Sequence, residues 1–312
     1  MGGLDSVLYD LSLLTFLKEF DIICLLETFY VTDSFPNILP NYKRFFSPAK
    51  KLSNHGRASG GLYVFVKNYI KVVEIDIYKE IDFTLVLELK TPDKDILFIS
   101  TYIPPQGSTY YKDLSLSNGI VLFENFLLNL KLRYKNHSII LCGDFNSRCG
   151  NVQPMLENDS LDFYLGNDMV QNHSTCSYFS RSSEDKHINT FGKSFTDMCS
   201  TLELYIMNGT DVNTNSGSFT YIHPQGNSVV DYFLLSDDLL CDIDNFIVHE
   251  RVESLHMPIS FSILCNNLDE TSSSTKSNDI NRYIWNIKKK HRISEELFRL
   301  LQYKIKRFNC ID

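Results

Sequence analysis

Short apolar runs that stop at a carboxylate or an amide are what most constrain this chain. Ile22-Ile23-Cys24-Leu25-Leu26 ends at Glu27, and Ile139-Ile140-Leu141-Cys142 ends at Gly143-Asp144-Phe145-Asn146. Runs this short, bounded by turn formers, read as buried strands. Gly60-Gly61 opens Leu62-Tyr63-Val64-Phe65-Val66, and further strand-like runs cover 70–77, 83–89 and 96–103, the last stopped by Pro104-Pro105. Later strands are expected near 204–207, 218–222, 228–235, 245–249 and 258–264. Helical spacing intervenes at 7–19, 117–132 and 193–204, and the polar stretch 150–190 reads as loop and short helix. Many strands with intercalated helices predict a mixed α/β domain built on packed sheets.

Composition narrows the class. The 312 residues are 43% hydrophobic and 22% charged, which is globular and excludes a disordered or fibrous chain. The apolar runs are too short and too charged to reach the ~18–20 residues of a membrane span. The first twenty residues carry Asp5, Asp10 and Glu19 without a basic leader, so an intracellular protein is expected. Eight cysteines are scattered with no C-x-x-C pair, as reduced thiols are, which argues against a zinc module. Net charge is −8, but residues 271–312 hold ten Lys/Arg and four Asp/Glu, so an acidic body precedes a basic tail. The body fits either a metal enzyme whose carboxylates are partly neutralised by cations or a soluble domain with a solvated surface.

The strand ends suggest the chemistry. Glu27, Asp144 and Asn146 follow apolar strands, and Asp231 lies within Val229-Val230-Asp231-Tyr232-Phe233-Leu234. A bare carboxylate there is costly to bury unless it is paired or on a metal. His256 follows Glu253-Ser254-Leu255 and precedes Met257-Pro258-Ile259. If these ends converge, within roughly 10 Å, three carboxylates, an amide and an imidazole meet at one sheet edge. Such a set suits Mg²⁺ and a phosphodiester, with hard oxygens for the cation and an imidazole for the phosphoryl oxygens.

The order of these blocks carries a resemblance. Leu25-Leu26-Glu27-Thr28, Gly60-Gly61-Leu62, Thr101-Tyr102-Ile103-Pro104-Pro105, Gly143-Asp144-Phe145-Asn146, Ser228-Val229-Val230-Asp231-Tyr232 and Ser254-Leu255-His256-Met257-Pro258-Ile259 fall in a known order. Over about residues 1–265 the chain resembles the endonuclease/exonuclease/phosphatase superfamily. Within it, the chain resembles the apurinic-like endonuclease of non-LTR (LINE-type) retrotransposons, and the stretches 189–193 and 206–209 look like that version. The resemblance implies a four-layered α/β sandwich, two mixed sheets flanked by helices, and a Mg²⁺ or Mn²⁺ ion held by Glu27 and Asp144. It implies that Asp144 and Asn146 position the attacking water and the phosphate, and that Tyr102 donates a hydrogen bond near the scissile phosphate. Asp231 then orients the site, and His256 binds or protonates a phosphoryl oxygen. The implied reaction is a nick in a target-site DNA duplex, made in the nucleus, that primes reverse transcription. The rival readings are a phosphatase or deadenylase of the same fold, and a non-catalytic fragment or nucleic-acid-binding domain.

Two departures from the family pattern set further expectations. The family has Ser-Asp-His where this chain has Ser254-Leu255-His256, so His256 is expected to lack a carboxylate partner and activity to be impaired. The family also opens with an Asn-bearing strand, and Met1-Gly2-Gly3-Leu4 stands where the following turn belongs, so the first strand is expected to be missing. Arg148 reads as a phosphate contact or a surface charge. Residues 266–281 read as a flexible linker. Residues 282–312, with Trp285 and Lys288-Lys289-Lys290-His291-Arg292, read as a basic helical connector with few contacts to the body and no reverse transcriptase domain after it.

Overall fold

The computed structural model describes residues 10–51, 56–77, 80–112, 118–152, 181–210, 215–250 and 254–264, and the backbone of 283–287. In chain order the elements are α1 (Leu11–Lys18), β1 (Ile22–Leu26), β2 (Tyr42–Lys50), β3 (Ser59–Lys67), β4 (Val72–Glu74), β5 (Thr84–Lys90) and β6 (Asp95–Tyr102). After these come α2 (Gly119–Arg133), β7 (Ser138–Asp144), α3 (Thr190–Leu202), β8 (Leu204–Ile206), β9 (Tyr221–His223), β10 (Gly226–Ser228) and β11 (Asp231–Ser236). The last are β12 (Ile243–Val248), β13 (Ile259–Ile263) and β14 (Tyr283–Ile287). None of the described helices is long and apolar enough to cross a membrane.

Two six-stranded mixed sheets form the body, ordered β12-β13-β14-β1-β3-β2 and β4-β5-β6-β7-β11-β8, with β9 and β10 as a separate hairpin. Alternation along each strand sends side chains to two faces, and three cores result. Cys24, Leu26, Val64 and Val66 of the first sheet meet Leu87, Phe98, Cys142 and Phe233 of the second. The other face of the second sheet, through Val86, Ile99, Leu141 and Leu234, packs on Phe123, Leu127, Phe195 and Met198 of α2 and α3. The outer face of the first sheet, through Ile23, Leu25, Tyr63 and Phe65, is covered by Leu13 and Leu17 of α1 and by Phe35 and Leu39. The layers are therefore helix, sheet, sheet, helix, the four-layered α/β sandwich expected from the sequence.

Strand direction gathers the polar strand ends at one edge. β6 and β7 pair in parallel with Tyr102 opposite Asp144, and β11 runs antiparallel to β7 with Asp231 opposite Asp144. Asp231 is thus the first residue of its strand, not an interior one. In the first sheet β1 ends just before Glu27, and β13, antiparallel to β14, begins just after His256.

Two elements depart from the sequence reading. β2 was not legible because Lys43, Arg44 and Pro48 interrupt its pattern. It is an edge strand paired only with β3, where charge and proline are tolerated. Tyr283–Ile287, expected within a helix with few contacts, instead form β14, parallel to β1 and antiparallel to β13. The physical reason is the pair of ladder edges that β1 and β13 present, which a β-branched and aromatic segment satisfies. No strand precedes α1 among the described residues, and the place between β1 and β13 is taken by β14. The expected linker 266–281 and the rest of the connector, 288–312, lie outside the described residues.

Gly143 makes the parallel pairing possible. It has φ +155°, and a Cβ there would sit 1.9 Å from the carbonyl oxygen of Thr101. Gly143→Ala is expected to cost about 3 kcal/mol, as overpacking against backbone does. A urea midpoint equal to wild type would show that β6 and β7 do not approach so closely.

Candidate active site

Glu27 is presented by a strained turn. It has φ +50° and Phe29 has φ +62°. The turn is held because Thr28 N–H donates to the Gly61 carbonyl (2.9 Å) and Phe29 N–H to the Gly60 carbonyl (3.0 Å). A Cβ on Gly60 would lie 2.4 Å from the Phe83 ring, so these glycines serve close packing beneath Glu27, as the sequence suggested. On the second sheet, the Asp144 carboxylate is fully buried. It accepts from Asn146 twice, from the backbone N–H at Oδ1 (2.8 Å) and from Nδ2 at Oδ2 (3.0 Å). Asn146 also donates from Nδ2 to the Ile103 carbonyl (2.8 Å) and adopts φ +47°, which asparagine tolerates. Tyr102, 5% exposed, donates to the Glu27 carboxylate; burial first and that carboxylate second push its phenol far above the usual value, so it stays protonated.

The expectation of an unpaired histidine is overturned. His256 Nδ1 lies 2.7 Å from Oδ2 of Asp231, a carboxylate that is 3% exposed. Leu255 therefore removes no partner, because β11 supplies one from 25 residues upstream. Its backbone carbonyl accepts from Ile222 N–H (2.8 Å), while the Ser254 hydroxyl accepts from His256 N–H (3.0 Å). The Tyr221 ring lies 4.7 Å from the imidazole, tilted by 55°. Thr220 Oγ1 accepts from the N–H groups of Val230 and Asp231, fixing the start of β11.

These residues meet in one cavity of about 320 Å³, lined by Glu27, Tyr102, Asn146 and His256 together with Leu255 and Arg57. Asp144 lies behind Asn146 and Asp231 behind His256, through the hydrogen bonds above. The structure thus brings together all six residues singled out from the sequence. Sequence reasoning missed Tyr221, Phe29 and Arg57, whose guanidinium stacks 3.9 Å over the Phe29 ring. Only their position in the fold marks them.

Arg148 is not turned to the cavity. It makes a bidentate ion pair with Asp185 (2.7 and 2.8 Å). Asp185 also accepts from the N–H groups of Val229 (3.1 Å) and His187 (3.0 Å). Burial raises the Asp185 pKa, but Arg148 and these backbone donors outweigh it and hold the carboxyl below its usual range. Asn189 caps α3, accepting from Gly192 N–H (2.6 Å), and also accepts from Arg148 N–H (3.0 Å), so the turn after Asp144 is clamped to α3.

Among the groups that line the cavity, the Glu27 carboxylate and the Asn146 amide offer hard oxygen donors and the described lining has no thiol, which fits a hard cation. Mg²⁺ is commonly held by one or two carboxylates plus substrate phosphate. A second cluster, Glu88, Asp95 and His137, brings ligand atoms within 4.8 Å of one another, but it stands at the opposite end of β5, β6 and β7. Lys90 donates to Glu88 (2.7 Å) and Asp95 (2.8 Å) there, so a cation already neutralises it.

The two mixed sheets, the buried strand-end carboxylates, the Asp–His pair and the polar cavity are together suited to hydrolysis of a phosphate ester. The chain belongs to the Endonuclease/Exonuclease/phosphatase family, whose model matches residues 5–242. No curated protein matches its sequence. Among solved structures it is similar to the endonuclease domain of TRAS1, a telomere-specific non-LTR retrotransposon, at 18% identity over 81% of this chain and 89% of that one, with a TM-score of 0.51. It is also similar to the AP endonuclease LMAP from Leishmania major, at 16% identity over 82% of this chain and 83% of that one, with a TM-score of 0.55. At such identities the likeness shows the fold.

The Arg148–Asp185 pair carries a pH dependence. A depressed carboxylate contributes stability that is present above the unfolded pKa, near 4, and lost as pH falls through the folded value. Arg148→Ala is expected to destabilise by about 3 kcal/mol at pH 7, by leaving the buried Asp185 unpaired. The gap between its thermal midpoint and that of wild type should be full near neutral pH and narrow as pH falls below the unfolded carboxylate value, because wild type then loses the stability that the pair supplies and the variant has less to lose. Identical midpoints at every pH would show that the pair does not stabilise the fold.

Proposed function

We propose that this protein is a divalent-metal-dependent endonuclease that nicks DNA, of the kind carried by non-LTR retrotransposons, acting on a target-site duplex in the nucleus. One observation carries the reading: the His256 imidazole, hydrogen-bonded to Asp231 at 2.7 Å, lines the same cavity as Glu27, Tyr102 and Asn146. The likeness to the TRAS1 endonuclease domain supports the retroelement assignment.

Glu27 and Asp144 would hold a Mg²⁺ or Mn²⁺ ion, which would supply Lewis-acid stabilisation of the phosphoryl charge. The chain's own residues do the rest. Asp144 is fixed by Asn146 through a contact on each oxygen and would act as the base toward an attacking water. Asn146, whose amide nitrogen already donates to Asp144 and to the Ile103 carbonyl, keeps its amide oxygen to accept from that water. Tyr102, kept protonated, donates toward a non-bridging oxygen. Asp231 fixes the His256 ring by accepting from Nδ1, which leaves Nε2 to donate to a phosphoryl oxygen when the ring is protonated. Arg57, at the rim, adds positive charge along the phosphate path.

The test is conversion of supercoiled plasmid to the nicked form with Mg²⁺ and with chelator. Wild type is expected to nick only with metal, and Asp144→Ala to lose at least about 10³-fold, as removal of a general base does. Asp231→Asn should lose about 10²–10⁴-fold through the wrong ring tautomer. Leu255→Asp should stay within about threefold of wild type, because His256 already has its carboxylate. Undiminished nicking in Asp144→Ala, or metal-independent nicking, would refute the assignment.

A further inference from the structure

β14 lies in the middle of the first sheet, between the strand that delivers Glu27 and the strand that follows His256. Its register places Ile284 beside Ile22 and Phe261, and Trp285 beside Ile23 and Ser260. Asn286 stands beside Cys24 and Ile259. β1 and β13 are buried along their whole lengths. With the place between them open, each would carry a row of unpaired N–H and C=O groups. One intervening strand also sets their separation at two inter-strand spacings, roughly 9.6 Å. The distance from Glu27 to His256 therefore depends on what fills that place.

We infer that Tyr283–Ile287 is the positioning strand of the active site, so that phosphodiester hydrolysis is conditional on the C-terminal segment being inserted between β1 and β13. The occupant is this chain's own segment. Ser262 pairs with Tyr283 across a connection of 20 residues, and a connection of that length keeps the segment at high effective concentration. Closing such a loop costs little more than closing a shorter one. Anything that withdraws the segment would open the sheet beneath Glu27 and His256. A proline in the strand would have the same effect, since it lacks the N–H and locks φ.

The inference uses the proposed function for its activity readout only; amide exchange tests the placement without it. The experiment takes the full chain as wild type, Trp285→Pro, Trp285→Val and, as a control in the connection, Ser274→Pro. In Trp285→Pro, amides of Ile22–Leu26 and Ile259–Ile263 should exchange at least about tenfold faster while those of β6 and β7 keep wild-type rates. Nicking should fall at least about tenfold. Trp285→Val, with a β-branched residue, and Ser274→Pro should keep both near wild type. A synthetic peptide of residues 279–292 added to Trp285→Pro should restore both. Unchanged exchange in β1 and β13 would overturn the placement whatever the activity. Changed exchange with undiminished nicking would overturn the positioning role. Acceleration throughout β6 and β7 without rescue by the peptide would also overturn it, as a loss of fold. A wild-type chain that does not nick DNA would refute the proposed function and leave the exchange result to decide the placement.

Discussion

Asp144 and Asp231, at 0% and 2% exposure, face each other across two antiparallel strands at the edge where the sheets meet. Two carboxylates cannot be taken out of water so close together unless each is matched by donors. Asn146 supplies them to Asp144, and His256 supplies one to Asp231. Much of the neighbouring structure keeps those donors in place. Asn146 is held in its left-handed conformation by the Ile103 carbonyl and by the turn that Asn189 ties to α3. His256 is held by the bridge to Tyr221 and by Ser254. The start of β11 is pinned by Thr220 on one side. On the other, Asn208 donates to the Asp231 carbonyl and accepts from Phe233 N–H.

Polar groups of similar type serve a different purpose at the far end of the same sheet. Glu88, Asp95, His137 and Lys90 form an ion-pair cluster there, and the Glu88 carboxyl is held below its usual range by hydrogen bonds from Lys90 and His137. The contrast lies in charge balance. At the cavity Glu27 has Tyr102 as a neutral donor, whereas the far cluster carries its own cation in Lys90. Acidic residues near histidine are therefore insufficient evidence of a metal site without that accounting.

Much of this was legible in the sequence because burial leaves a strong mark on strands. The runs ending at Glu27 and at Asp144 announced β1 and β7, and their order fixed the layers. The Asp231–His256 pair was not legible. The contact spans two sheets and 25 residues, while the neighbour in sequence, Leu255, suggested that the partner was gone. Arg148 was ambiguous for the same reason: Asp185 lies in a polar stretch whose pattern has no period. β14 was hidden by the lysines that follow it, which gave the tail a helical and solvated appearance, whereas what decided its structure was a demand made by β1 and β13. Pattern reads what a segment prefers, and the fold adds what its neighbours require.

The claim on which the chemistry turns is that Asp231 sets the ring of His256. Nitrogen-15 spectra of the imidazole, in the neutral form, report which ring nitrogen carries the proton. The Asp231 oxygen can only accept, so Nδ1 is predicted to be the protonated nitrogen in wild type, and this preference should disappear in Asp231→Asn. A neutral His256 protonated at Nε2 in the wild-type protein, with Nδ1 bare toward the carboxylate, would contradict the account.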